Sequence, residues 1–323
     1  MSMRPSTPAA EEIIGRYFPV LDHGFVALVD YMGTDGCIES AARVSFGHGT
    51  RQTSETRQLL RYLRRHQHTS PSEMVELKFH CSMPMFVARQ WIRHRTANVS
   101  EYSGRYSLLP MQFYMPTPSR LQTQSTTNKQ GSSGSGFSME QCRAIESRWT
   151  HQRMGAAELY EWLTEIDLSR ELARIDLPLS TYTSWYWKID VHNLLHFLKL
   201  RVDSHAQWEF QEYGKVMAGI LKRVAPITYE AFIDYDVCGA RFSRMELELV
   251  RRLMTPGVDL DDAMAAGLEF GMSSREIAEF REKLEPRAVP DFELDLTKAH
   301  RADYFAGLAQ AAVPKVDQPS SGS

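Results

Sequence analysis

Between Arg89 and Tyr106 the chain reads RQWIRHRTANVSEYSGRY. Four arginines, Arg89, Arg93, Arg95 and Arg105, lie there among Gln90, His94, Asn98, Ser100, Glu101 and Ser103. Guanidinium groups match phosphate oxygens in forked pairs and stack on flat rings. Gly104 would let backbone approach a ligand closely. The segment therefore suits a phosphate carried by a planar heterocycle. Taken alone, the same residues also describe a solvated basic helix end, because a charge run is usually a solvated face.

Two other groups could do chemistry. His192 and His196 are four residues apart, as two metal ligands on one helix face would be, with Asp190, Asp203 and His205 nearby. The string is HNLLH, without the glutamate of H-E-x-x-H, and no cysteine completes a tetrahedral set. A metal site is thus a rival to a buried or capping role for these histidines. Ser103 has no G-x-S-x-G context, so hydrogen bonding to a ligand is preferred over nucleophilic attack. Trp185, Tyr186 and Trp187 are expected in the core or an interface. The string GSSGSG neither follows a strand nor opens a helix, so it is not a dinucleotide fingerprint.

The elements that must position these residues follow from periodicity. Gly24 to Met32 and Val75 to Ser82 read as strands, the second alternating apolar and polar. Glu55 to His66 reads as a helix with Leu59, Leu60 and Leu63 on one face and its arginines solvated. Ser70-Pro71-Ser72-Glu73 predicts a helix start, with Ser70 as N-cap, Glu73 closing a capping box and free N–H groups that favour an anion. Pro84 opens a helix over PMFVARQWIRHR, which would place Arg89 and Arg93 on one side. Helices are also expected over Met139–Thr164, continuously over His192–Leu221, and over Ser243–Met254 and Ser273–Leu284. Residues 1–12 are expected to be flexible, 123–136 a mobile Gly/Ser-rich loop, and 313–323 a disordered tail. Strands first and helices afterwards make an α+β domain over residues 1–243, with a helical extension over 244–312.

The 323 residues are 43% hydrophobic, enough for one large core. With 37 basic and 40 acidic residues the net charge is -3, which argues against a general nucleic-acid or membrane binder. No apolar run approaches the ~20 residues needed to span a bilayer. Cys37, Cys81, Cys142 and Cys238 form no C-x-x-C, and the N-terminus has no apolar leader core. Reduced thiols in a cytoplasmic protein are expected.

Arg93-His94-Arg95, seven residues and then Ser103 resembles the R-H-R-x7-S signature of the flavin-dependent thymidylate synthases, extended by Glu101, Gly104, Arg105 and Tyr106. The resemblance recurs in AARVSF (41–46), HQHTSPSE (66–73), FVARQW (86–91), ARIDLPL (173–179) and LRVDSHAQWE (200–209). Asn98 stands where that family usually has Ser, and Ser100 where it has Asn; both keep hydrogen-bonding capacity. The resemblance implies an antiparallel-type sheet flanked by helices in a homotetramer with shared sites. It implies dTMP made from dUMP, with FAD as cofactor, methylenetetrahydrofolate as carbon donor and NADPH as reductant. Ser70, Arg93, His94, Arg95, Glu101, Asp190, His192 and His196 match FAD-contacting positions of the family. Gln90, Arg93, Glu101, Ser103, Gly104, Arg105, Arg174 and Arg201 match nucleotide-contacting ones. Arg105 and Arg174 would clamp the phosphate. Arg201, beside the pyrimidine N3–O2 edge, would stabilise charge on the ring. No residues are thereby assigned to the folate.

Overall fold

The computed structural model describes residues 4–44, 55–125 and 132–301. The expected tail over 313–323, part of the AARVSF string and the middle of the Gly/Ser-rich stretch lie outside the described residues. The strands are β1 (Tyr17–Val20), β2 (Gly24–Met32), β3 (Glu76–Pro84), β4 (Asn98–Glu101), β5 (Gln122–Gln124), β6 (Ser132–Gly136) and β7 (Tyr182–Asp190). The helices are α1 (Pro8–Glu11), α2 (Asp35–Arg43), α3 (Thr56–Arg65), α4 (Ser70–Glu73), α5 (Met85–Trp91), α6 (Met139–Glu165) and α7 (Arg170–Ala173). They continue as α8 (Val191–Arg201), α9 (Trp208–Val224), α10 (Pro226–Phe232), α11 (Arg244–Leu253), α12 (Leu260–Glu269) and α13 (Ser274–Leu284).

The architecture is α+β. Five strands pair antiparallel in the order β1-β2-β3-β7-β4. Period-2 alternation turns Leu77, Phe79 and Cys81 of β3, and Trp185, Trp187 and Ile189 of β7, to the buried side. The other side holds Tyr186, stacked on its cross-strand partner His80 with ring centroids 4.7 Å apart. Helix α5 packs on β3 and β7, α8 on β7 and α9, and α9 on β1 and β2. Their meeting point is Trp91, fully buried. Its indole lies within 5.3–5.9 Å (centroid to centroid) of Trp185, Trp187, Phe197, Phe210 and Tyr213. Trp185 and Trp187 are therefore core residues, as expected, whereas Tyr186 of the same run is exposed.

Three local expectations are corrected. First, α4 is a single turn preceded by Thr69, and no side chain caps it; the Ser70–Glu73 capping box does not form. The chain must enter β3 at Glu76, leaving no length for a helix whose N-terminus could hold an anion. Second, α5 stops at Trp91, so Arg93 does not extend the helix face of Arg89. The next residues turn (His94 N donates to Trp91 O, 2.9 Å) so that β4 can pair with β7 from Asn98. Third, the helix expected over His192–Leu221 is two helices, α8 and α9. Asp203 breaks it: its carboxylate accepts from His205 N at 2.8 Å, a local bond that competes with helical pairing. The ends of the Gly/Ser-rich stretch pair as β5 and β6.

Two compact units divide the chain: residues 1–229 with 292–323, and residues 230–291. The second unit contains α11, α12 and α13 around Leu249, Met264, Ala266, Met272 and Phe280. Ser243 and Ser273 cap α11 and α13 with reciprocal capping boxes to Glu246 and Glu276.

Candidate active site

Because α5 ends early, the three residues Arg93-His94-Arg95 splay out of a turn. Arg93 and Arg95 are exposed and make no ion pair among the described residues. His94 turns inward, its ring edge-on to Phe197 with centroids 4.8 Å apart. The break after α8 brings α9 back along it. Gly214 permits this closeness: a Cβ there would stand 3.3 Å from Arg201 Cβ. Arg201, the last residue of α8, thus lies over the Phe210 ring at 4.6 Å. Its Nε donates to His94 Nε2 at 3.0 Å.

That bond requires His94 to be neutral, with the acceptor lone pair on Nε2. Burial, then the charge of Arg201, then His196 push its pKa from the usual 6.5 to about 4. Arg201 is lowered by burial but stays charged at neutral pH. Its Nε is engaged, which leaves both terminal nitrogens to donate elsewhere. The linkage has a definite sign. A histidine with a depressed folded pKa contributes stability above the unfolded value near 6.5, lost as pH falls towards about 4. Thermal melts between pH 7 and 4 are therefore expected to fall more steeply for the wild type than for His94→Gln, whose amide oxygen still accepts from Arg201. Parallel melting profiles would contradict this assignment.

A second group forms where β4 runs on past Glu101. Glu101 accepts from Thr183 Oγ1 at 2.8 Å, which ties this edge to β7. Ser103 Oγ accepts from Arg105 N at 3.3 Å and has no base beside it, consistent with a binding role. A Cβ on Gly104 would sit 3.0 Å from Leu109 and 3.3 Å from Arg174 Cδ. The glycine thus lets the 103–105 backbone lie against Arg174. Arg174 makes no ion pair among the described residues, and Arg105 faces only exposed Glu171 at 3.2 Å. No hydrogen bond or ion pair among the described residues joins this group to the His94–Arg201 pair.

The third group is at the start of α8. Asp190 caps the helix, accepting from Asn193 N at 2.9 Å and from its Nδ2 at 2.6 Å. His192 Nδ1 is buried without a partner. His196 is exposed, as is Ser70 on α4, which packs beside α8. Among the described residues no three His, Cys, Asp or Glu side chains come close enough to hold a metal, so the His192/His196 pair lacks a third ligand. An orphaned imidazole nitrogen and unpaired Arg93 and Arg95 fit a pyrophosphate-bearing cofactor such as FAD.

Gln90 was expected at the nucleotide, but its inward partner was not legible. Its Nε2 donates to Gln207 Oε1, and Gln207 Nε2 donates to buried Glu209 at 2.9 Å. Gln207 and Glu209, with Tyr114, Arg120 and Trp208, line an open cleft of about 800 Å³. Their adjacency in AQWE is visible in the sequence; their reach back to Gln90, 117 positions earlier, is not.

Residues 27–227 match the family model described as Thymidylate synthase complementing protein. The flavin-dependent thymidylate synthase of Wolbachia pipientis is 52% identical over 235 residues, covering 73% of this chain and 82% of that protein. The one from Rickettsia bellii is 46% identical over 264 residues, covering 78% and 90%. Among solved structures, the UMP/dUMP methylase PolB from Streptomyces cacaoi, bound with 5-Br UMP, aligns with a TM-score of 0.60 and 32% identity. It covers 68% of this chain and 98% of its own. The family match ends at residue 227, and the second compact unit begins at Glu230.

Proposed function

The chain belongs to the flavin-dependent thymidylate synthase family, and we propose that it methylates dUMP to dTMP with FAD as cofactor, methylenetetrahydrofolate as carbon donor and NADPH as reductant. The observation that carries this reading is Arg201, a cation fixed on Phe210 by a neutral histidine. A donor held in place before the reaction stabilises negative charge on the uracil ring as C5 becomes nucleophilic, without reorganising. Arg174 and Arg105 bind the phosphate, helped by the backbone beside Gly104. Arg93, Arg95 and His192 hold the pyrophosphate of FAD, while Ser70, the α8 cap Asp190 and the α8 residue His196 border it. The reduced flavin supplies the hydride that completes the methyl group. C5 gives up its proton as it gains the carbon, so no enzyme thiol need attack the ring. This agrees with Cys81, buried on β3 with its thiol pKa raised by burial.

We further propose a homotetramer with shared sites. Among the described residues the Arg201 and Arg174 groups share no hydrogen bond or ion pair, an arrangement compatible with the two meeting on one nucleotide across a subunit boundary. Among the described residues no helix is long and apolar enough to cross a membrane. Four unpaired thiols support a cytoplasmic location.

The test is the visible absorption spectrum of purified protein titrated with FAD and then dUMP. A bound flavin whose spectrum shifts on adding dUMP, with dTMP formed once folate and NADPH are supplied, is the expected result. Absence of flavin binding at saturating FAD would overturn the reading.

A further inference from the structure

The open cleft of about 800 Å³ has the size of a small-molecule site, and no residue of the three groups above lines it. Its walls carry two arginine–tryptophan pairs. Arg120 lies over the Trp208 ring at 4.7 Å, and Arg153 over the Trp149 ring at 5.4 Å. The two cations differ in what answers their charge. Arg120 Nε faces buried Glu209 at 3.4 Å. Arg153 makes no ion pair among the described residues; its Nη1 meets the Met115 thioether sulfur at 3.5 Å, a weak acceptor. Burial lowers its pKa against the opposing charge of Asp22, yet an arginine stays charged at neutral pH. Ser180, also in the wall, has a buried hydroxyl without a partner. Both groups are binding capacity that the fold itself does not use.

The chemistry of the walls narrows the ligand. Among the charged lining side chains, Arg120 and Arg153 against Glu209 leave one net positive charge. That balance suits a carboxylate on Arg153. A dinucleotide would bring a pyrophosphate and a further phosphate against the same Glu209, with one cation to answer them. Indole walls suit a flat ring. A benzoyl ring linked through an amide to an amino-acid carboxylate combines these features, and its amide carbonyl is an acceptor for Ser180 Oγ. Gln207 ties the cleft to the proposed reaction site. It lines the wall, accepts from Gln90, and through its backbone carbonyl accepts from the N–H of Phe210 at 2.9 Å, whose ring lies under Arg201. A co-substrate whose reacting end is at the Arg201 group can therefore rest its far arm in the cleft.

Resting on the reading that methylenetetrahydrofolate is the carbon donor, we propose that this cleft holds the p-aminobenzoyl-glutamate arm of the folate, with a carboxylate on Arg153 and the ring against Trp149 and Trp208. The cleft supplies affinity for the carbon donor and takes no part in the bond changes.

The test is calorimetry on the full-length, FAD-loaded protein saturated with dUMP, for wild type, Arg153→Gln and Trp149→Leu. The titrants are tetrahydrofolate, 6-methyltetrahydropterin, which lacks the arm, and NADP+. None of them carries both a methylene and a hydride to transfer, so binding is read without turnover. Wild type is expected to hold tetrahydrofolate about tenfold or more tighter than the pterin. Arg153→Gln is expected to lose about tenfold in tetrahydrofolate affinity, with the pterin and NADP+ unchanged. Trp149→Leu is expected to lose in the same direction, and decides the matter if Arg153→Gln does not fold. A variant that melts like the wild type and keeps its tetrahydrofolate affinity overturns the proposal. So does a loss confined to NADP+, which would give the cleft to the dinucleotide, and so do equal wild-type affinities for tetrahydrofolate and the pterin. Wild type that holds FAD and dUMP but no tetrahydrofolate also overturns it. Wild type that holds neither FAD nor dUMP overturns the functional reading instead.

Discussion

Replacing Arg201 with alanine is expected to lower kcat with dUMP by about 10²–10³-fold while leaving the protein folded. The side chain is half-buried, set on Phe210 and hydrogen-bonded through Nε to His94. This geometry fixes the guanidinium before any ligand arrives, and preorganised donors are worth most where charge develops in the transition state. Truncation removes the aliphatic stem from the Phe210 face and so costs some packing. It leaves no buried charge behind, because the partner histidine is neutral. The thermal midpoint should fall by only a few degrees, which for a chain this size corresponds to about 1–2 kcal/mol. Arg201→Lys is expected to be nearly as slow. An ammonium on a flexible stem cannot donate laterally to His94 and still present a planar fork. Steady-state kinetics on both variants, with melts as controls, decide the matter. A well-folded Arg201→Ala enzyme with wild-type kcat would remove the electrostatic role.

The largest effect on stability is expected at Trp91. Truncation to alanine should cost about 3–5 kcal/mol, because the indole is fully buried and contacts five aromatic rings from β7, α8 and α9 that cannot close the void. Trp91→Phe should cost much less. It keeps a ring in the same place and removes an indole N–H that has no hydrogen-bond partner. Trp91 also separates Gln90 from the turn carrying His94, so the alanine variant should lose ligand affinity beyond its stability deficit. Denaturant unfolding of the two variants measures the first effect. A Trp91→Ala midpoint equal to that of the wild type would mean that this cluster is not the hub of the core.

Much of the chemistry was readable from residue order. The R-H-R-x7-S spacing, Glu101 and the Gly104-Arg105 pair pointed to the segment proposed to bind the ligands, and ARIDLPL and LRVDSHAQWE added Arg174 and Arg201 to that proposal. Strands β2 and β3 and helices α3, α6, α11 and α13 also followed from local pattern, because alternation, helical periodicity and capping are decided within a few residues. What failed locally failed where long-range pairing overruled propensity. Entry into β3 cut α4 to one turn, and the pairing of β4 with β7 ended α5 at Trp91; the break between α8 and α9 is instead local, at the Asp203 carboxylate that accepts from His205 N. The sequence by itself determined the family and the residue types at the site. Only the tertiary structure decided that His94 holds Arg201 from 107 positions away, that Glu209 reaches Gln90 through Gln207, and that Gly104 lies on Arg174. The reason is physical: a spacing rule reports neighbours along one element, whereas these contacts exist only once the sheet and three helices have packed around Trp91.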